Sequence, residues 1–160
     1  MRVEDMMTRD VCACSPGTDI ATAAALMWSK NCGSLPIVED GGRIAGIVTD
    51  RDLLIALGTS NRRASEVPLG EVMSGNVAVC NPGDDLRAAL KTMAQKRLRR
   101  LPVVDYAGVL QGIVSLADIA LRADPDHAMD VLGTIKAICD RRDRNRARRE
   151  LLWYEEAGAA

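Results

Sequence analysis

The chain repeats itself at a fixed distance. Met7, Pro16, Met27, Pro36, Gly46 and Asp52 return as Met73, Pro82, Met93, Pro102, Gly112 and Asp118, each displaced by 66 positions. Compared without a gap, 7–53 and 73–119 are identical at 17 of 47 positions, where composition alone gives about one match in sixteen. A unit this short buries too little apolar surface to stand alone. The two copies are therefore expected to pack on each other as one domain with approximate two-fold symmetry.

Periodicity supplies the elements of each copy. Residues 10–14 and 76–80 read as short strands, stopped by Ser15-Pro16-Gly17 and Asn81-Pro82-Gly83, where Pro and Gly mark a turn. Thr18 and Asp84 are placed to cap helices over 19–31 and 85–97, in which Ile20, Ala23, Ala24, Met27 and Leu86, Ala89, Leu90, Met93 recur at helical spacing. Strands follow at 35–38 and 101–104, hairpin turns at Gly41-Gly42 and Ala107-Gly108, and returning strands at 43–48 and 109–114. A second helix, 50–57 or 116–122, completes a β-α-β-β-α order, so the fold class is α+β. The division is repeat 1 over 1–57, a linker over 58–70, repeat 2 over 71–122 and a helical extension over 123–160. That extension starts at Asp124-Pro125-Asp126, with Pro suited to the first helical turn, carries the apolar stripe Val131, Leu132, Ile135, Ile138, Cys139, and has Gly133 as its expected break.

Composition excludes several classes. With 21 Lys and Arg against 22 Asp and Glu, the whole chain lacks the footprint of a dedicated nucleic-acid binder. The charge is uneven, however: 136–149 carry seven basic and two acidic residues. Phe is absent and the aromatic residues are Trp28, Tyr106, Trp153 and Tyr154, too few for a base-stacking platform. No apolar run approaches the roughly 18 residues of a membrane span, and MRVEDMMTRD is not a signal peptide. The expectation is a cytoplasmic protein with reduced thiols, since five cysteines do not make a disulfide framework.

Each copy closes its last strand with Gly-Ile-Val-[Thr/Ser]-x-x-Asp, which is Gly46 to Asp52 and Gly112 to Asp118. Taken alone, Thr49/Asp52 and Ser115/Asp118 read first as capping boxes that satisfy orphan amides. The combination of turn, Leu-Pro-x-Val, this motif and gapless duplication resembles the CBS-domain family, whose tandem pairs form Bateman modules, over about 5–122. The resemblance implies clefts between the copies that hold an adenosine-containing molecule such as AMP, ADP, ATP or S-adenosylmethionine. Asp52 and Asp118 match the family's acceptor of ribose hydroxyls, and Thr49 and Ser115 its ligand to ribose or phosphate oxygens. The adenine positions correspond to Ala13, Cys14, Ile37 and Val38 in one copy and Val79, Cys80, Val103 and Val104 in the other. The resemblance also implies a homodimer.

An ionised carboxylate can accept from both hydroxyls of a cis-diol through charge-assisted bonds. Phosphate partners are unequal: Lys96-Arg97-Leu98-Arg99-Arg100 stands where the first copy has Lys30-Asn31-Cys32-Gly33-Ser34. Arg99 and Arg100 suit phosphate because planar guanidinium donors bind two oxygens together, although a solvated basic helix end is the plainer alternative. The function expected is a regulatory module sensing such a ligand and passing occupancy to a partner or oligomer. No Ser-His-Asp or Cys-His arrangement and no phosphate-binding G-x-x-x-x-G-K-[ST] loop suggests an enzyme, and no cofactor is called for. Two alternatives remain open: a nucleic-acid-associated regulator reading through the Arg-rich segment 140–149, and a thiol or metal sensor built on Cys12-x-Cys14. The first competes with a protein-docking role for that segment, since Leu151, Leu152 and Trp153 follow it. The second is short of the four ligands that zinc commonly takes.

Overall fold

The computed structural model describes residues 1–122 and 124–140. The Arg-rich segment from Arg141 onward and the apolar run Leu151 to Tyr154 lie outside the described residues. Helix α1 (Val3–Met6) opens the chain. Repeat 1 then contributes α2 (Ile20–Ser29), β1 (Ser34–Val38), β2 (Ile44–Thr49) and α3 (Asp50–Thr59). Repeat 2 contributes α4 (Leu86–Lys96), β3 (Arg100–Val104), β4 (Leu110–Ser115) and α5 (Leu116–Arg122). A 3-10 turn over Pro125–His127 leads into α6 (Ala128–Cys139), which runs unbroken through Gly133. The class is mixed α+β with two small antiparallel hairpins, β1-β2 and β3-β4.

The strands expected at 10–14 and 76–80 shrink to single parallel bridges, Cys14 to Ile37 and Cys80 to Val103. Cys14 N–H donates to the Pro36 carbonyl and Val38 N–H to the Cys14 carbonyl; Cys80 repeats this with Pro102 and Val104. Extending that parallel ladder by one step in one direction needs an N–H from Pro36 or Pro102, and in the other from Pro16 or Pro82. Proline has none, so the ladder stops at one rung. The Asn81 amide makes up one donor, reaching the Val104 carbonyl at 2.7 Å. The helix caps also fall one residue later than expected. Asp19 accepts from Thr22 N–H at 2.9 Å and Asp85 from Arg87 N–H at 2.8 Å. Thr18 and Asp84 instead close the preceding turns by accepting from Ser15 N–H and Asn81 N–H.

Hydrophobic packing does not follow the order of the sequence copies. One core gathers Ile20, Ala23, Met27, Leu35, Ile37, Val48 and Leu53, and adds Val67 and Leu69 from beyond repeat 1. The other gathers Leu86, Leu90, Met93, Leu101, Val103, Val114 and Ile119, and adds Val3, Met6 and Met7 from the start of the chain. Backbone bridges tie the same exchange: Ser74 pairs with Ile47 in β2, and Thr8 with Ile113 in β4. The leader of each copy thus completes the other copy's half. Gly46 and Gly112 allow these close passages, since a β-carbon would stand 2.5 Å from Met73 Sδ at the first and 2.6 Å from the Thr8 carbonyl oxygen at the second.

The hairpin turns also meet across the pseudo-two-fold axis. Ile44 N–H donates to the Gly108 carbonyl at 3.0 Å and Leu110 N–H to the Gly42 carbonyl at 2.9 Å. Both glycines adopt φ near +80° (77° and 80°), which a side chain would strain. Helix α6 breaks the symmetry. Val131, Thr134 and Ile138, spaced on one face, are buried in the second core. Burying each of the two aliphatic side chains contributes about 1.5–3 kcal/mol, and the Thr134 hydroxyl is satisfied by the Asp130 carbonyl at 2.8 Å.

Candidate functional site

Both Gly-x-x-[Thr/Ser]-x-x-Asp motifs span the junction from the second strand of a hairpin to the helix after it. Thr49 is extended (φ −118°, ψ 162°) and ends β2 as the N-cap of α3. Its N–H donates to Asp52 Oδ2 at 2.8 Å, its hydroxyl donates to the same oxygen at 2.7 Å, and Asp52 N–H points back to Thr49 Oγ1 at 3.3 Å. In the second copy Asp118 N–H donates to Ser115 Oγ at 3.0 Å, and the Ser115 hydroxyl donates to Asp118 Oδ2. The capping reading therefore describes the local geometry at both ends. It engages Oδ2 of each carboxylate. Among the described residues no hydrogen bond occupies Oδ1 of either Asp52 or Asp118, and both side chains are half-buried at the surface.

Strand register places what stands beside each motif. Ser34 lies opposite Thr49, and Arg100 lies opposite Ser115. Opposed residues of an antiparallel pair share a face of the sheet, so Arg100 flanks Ser115 where only a hydroxyl flanks Thr49. Arg99 precedes it and fixes the helix start by accepting Leu116 N–H on its carbonyl at 2.8 Å. Among the described residues neither the Arg99 nor the Arg100 side chain has an ion pair or hydrogen bond, and both are exposed. Arg100 thus stands on the same face as Ser115, while Arg99 meets the start of α5 through its backbone carbonyl.

The apolar candidates divide by depth. Ile37 and Val103 are fully buried on the helix side of their hairpins, and Cys14 and Cys80 join them in the two cores. Val104 is buried, Ala13 and Val38 are half-buried, and Val79 is exposed. The five buried residues shape the wall from behind; Ala13, Val38 and Val79 carry its accessible surface.

Two buried thiols, Cys80 and Cys14, are shifted upward. Burial pushes Cys80 up to about 12, helped by the nearby Asp84 carboxylate. Burial also raises Cys14, with Cys12 and Cys32 adding to the effect against a hydrogen bond from Thr18. No group of three or more His, Cys, Asp or Glu suited to a metal ion occurs among the described residues. No described helix is long and apolar enough to cross a membrane.

A surface groove of about 410 Å³ lies elsewhere, between the end of α2 and the start of α3, against Met27, Trp28, Cys32, Asp50 and Leu53. Sequence reasoning passed over it. The signal was Trp28, a large aromatic at a position where the second copy has Ala94.

Two hairpin-and-helix repeats closed by exchanged leaders, each ending a strand in a hydroxyl-capped carboxylate, define a duplicated α+β module with pseudo-two-fold symmetry. The chain belongs to the CBS domain family, whose model matches residues 3–59 and 69–123. It is 41% identical over 119 residues to the CBS domain-containing protein YhcV of Bacillus subtilis (strain 168), covering 74% of this chain and 83% of that one. Among solved structures it is similar to the CBS domain pair of protein MJ0100 in complex with 5-methylthioadenosine and S-adenosyl-L-methionine. There the TM-score is 0.69 at 26% identity, over 76% of this chain and 94% of that one. It is also similar to CBSX2 in complex with AMP, with TM-score 0.66 and 27% identity over 76% of this chain and 95% of that one.

Proposed function

We propose that the chain is a regulatory, non-catalytic sensor of an adenosine-containing nucleotide, bound between the repeats. The observation that carries this reading is the second motif. A capping box accounts for Ser115 and Asp118, but not for Arg100 opposite Ser115 and Arg99 next to it in the chain, neither of which has a side-chain partner among the described residues. On this reading Asp118 Oδ1 accepts from the ribose hydroxyls, the Ser115 hydroxyl turns toward ribose or phosphate, and Arg99 and Arg100 hold phosphate oxygens. The adenine lies against Val79, the exposed residue of that wall, backed by Cys80, Val103 and Val104. Thr49 and Asp52 offer a second cleft, with Ala13 and Val38 outermost and Cys14 and Ile37 behind. Occupancy acts by favouring one of two arrangements of the repeats, which requires different affinity for each. The solved complexes of similar modules with AMP and with S-adenosyl-L-methionine support the ligand class.

The same reading takes the working unit to be a cytoplasmic homodimer. Ile55 and Leu121 occupy equivalent places in α3 and α5 and are 49% and 85% exposed, which suits an apolar contact between copies. The division at 57, 70 and 122 serves as the map for truncations, with 123–160 as the segment open to a protein partner.

Calorimetric titration with AMP, ATP and S-adenosylmethionine tests the assignment. Asp118→Ala should weaken binding about 10- to 100-fold, the scale of a hydrogen bond to a charged group, and should disturb folding less, by about 1 kcal/mol or under for the lost contact to the Ser115 hydroxyl. Arg100→Ala should weaken AMP and ATP and leave adenosine unchanged. Equal affinities for wild type and Asp118→Ala would remove the ribose role.

A further inference from the structure

The groove beside α2 and α3 has a counterpart in the other repeat, and there it is filled. A shift of 66 carries Ala24 to Leu90, Met27 to Met93, Asp50 to Leu116 and Leu53 to Ile119. All four of the latter are buried in one cluster with Val131 and Ile138 of α6. In repeat 1 no described element takes the place of α6. Ala24 is exposed, and Trp28 on the rim is 90% exposed.

The open groove also differs in charge. Asp50 Oδ1 accepts from Arg51 N–H at 2.7 Å, and among the described residues nothing bonds to Oδ2. Gly33 leaves that oxygen clear, since a β-carbon there would stand 3.2 Å from it. An apolar floor, an indole rim and one open carboxylate fit a segment that combines a cation with bulky apolar side chains. The chain holds such a segment beyond Asp140: six arginines over 141–149, then Leu151-Leu152-Trp153-Tyr154. Leu151 stands eleven positions beyond Asp140, an extended reach of about 36–40 Å. A compact body of this size has a radius of gyration of about 14 Å and a diameter of roughly 37 Å. Taken over the surface, where a tail must run, that reach covers about two thirds of the way round one half of such a body.

We propose that the end of this tail, Arg148 to Tyr154, docks in this groove of its own chain, with Arg148 or Arg149 on Asp50 and the Leu-Leu-Trp run against Trp28, Met27 and Leu53. The tail would do for repeat 1 what α6 does for repeat 2. This is independent of the nucleotide reading.

Disulfide trapping in the full chain tests it, because Cys32 lines the groove. In a Cys139→Ser, Glu155→Cys background treated with oxidised glutathione, mass spectrometry should find Cys32 bridged to position 155 within one chain. Asp50→Asn should slow trapping about two- to five-fold, as for an exposed ion pair. Trp28→Ala should slow it about ten-fold, as for an aromatic anchor. Both residues are exposed, and far-UV circular dichroism checks that the fold persists. An excess of a peptide of residues 141–156 should slow trapping as well. A bridge that forms only between two chains, no bridge to Cys32, or a rate indifferent to Asp50 and Trp28 would each overturn the proposal.

Discussion

Repeat 1 and repeat 2 share their interior and differ on their flanks. Leu35, Ile37 and Val48 on one side and Leu101, Val103 and Val114 on the other are all fully buried, in hairpins of the same register and the same bulge. Outside, the pairs part: Ala24 against Leu90, Gly33 against Arg99, Ser34 against Arg100, Asp50 against Leu116. Duplication fixed the residues that hold hairpin to helix and left free those that meet a covering element or a ligand. Each of these differences has a local cause: Leu90 and Leu116 lie beneath α6, while Arg99 and Arg100 adjoin a capped carboxylate.

The largest test of this contrast is Leu90→Ala. It should cost about 2–5 kcal/mol in chemical denaturation, because it empties volume between α4 and α6. The converse change, Ala24→Leu, should stay within about 0.5 kcal/mol, since that position is exposed. The glycine pair comes next. Gly112→Ala drives a β-carbon into the backbone carbonyl of Thr8, whereas Gly46→Ala meets only the flexible Met73 side chain. The first should cost about 1–3 kcal/mol, the range for overpacking, and the second clearly less.

Alkaline unfolding sharpens the comparison through the paired cysteines. Cys80 has its folded pKa raised to about 12 from 9.0, so its contribution is complete below pH 9 and is lost as pH climbs through the folded value. Stability should fall about 1.4 kcal/mol per pH unit between those limits. Cys80→Ala should flatten that slope more than Cys14→Ala, measured by urea midpoints at pH 8 to 11. Smallest is Asp130→Asn, which removes the charge from the Arg87 Nε to Asp130 pair at 2.9 Å between α4 and α6. Both side chains are exposed, so the loss should be below about 1 kcal/mol and should vanish in high salt.

Much of this architecture was legible because it repeats. Helical spacing at Ile20, Ala23, Met27 and at Leu86, Ala89, Leu90, Met93 located α2 and α4, and the Gly-Gly and Ala-Gly turns located both hairpins. The exchange of leaders was not legible. Val67 and Leu69 sit in a stretch rich in Ser, Asn, Pro and Gly that reads as a linker, and only three-dimensional packing shows that they fill the first core. The reduced strands at Cys14 and Cys80 were hidden for a related reason. Their β-forming side chains say nothing of the partner strand, where Pro36 and Pro102 withhold the donor. At the candidate site, sequence gave the capping pairs and the two arginines, but not the division of the apolar wall into buried and accessible residues. That division depends on which side of each hairpin faces its helices.

The crossed leaders have a further consequence. A peptide spanning one sequence copy carries a wedge cut for another body and lacks its own, since Val3, Met6 and Met7 serve the second core while Val67 and Leu69 serve the first. Two such peptides could satisfy each other only by trading wedges. An ancestral single unit with this design would have been an obligate pair, and the present chain is that pair joined end to end.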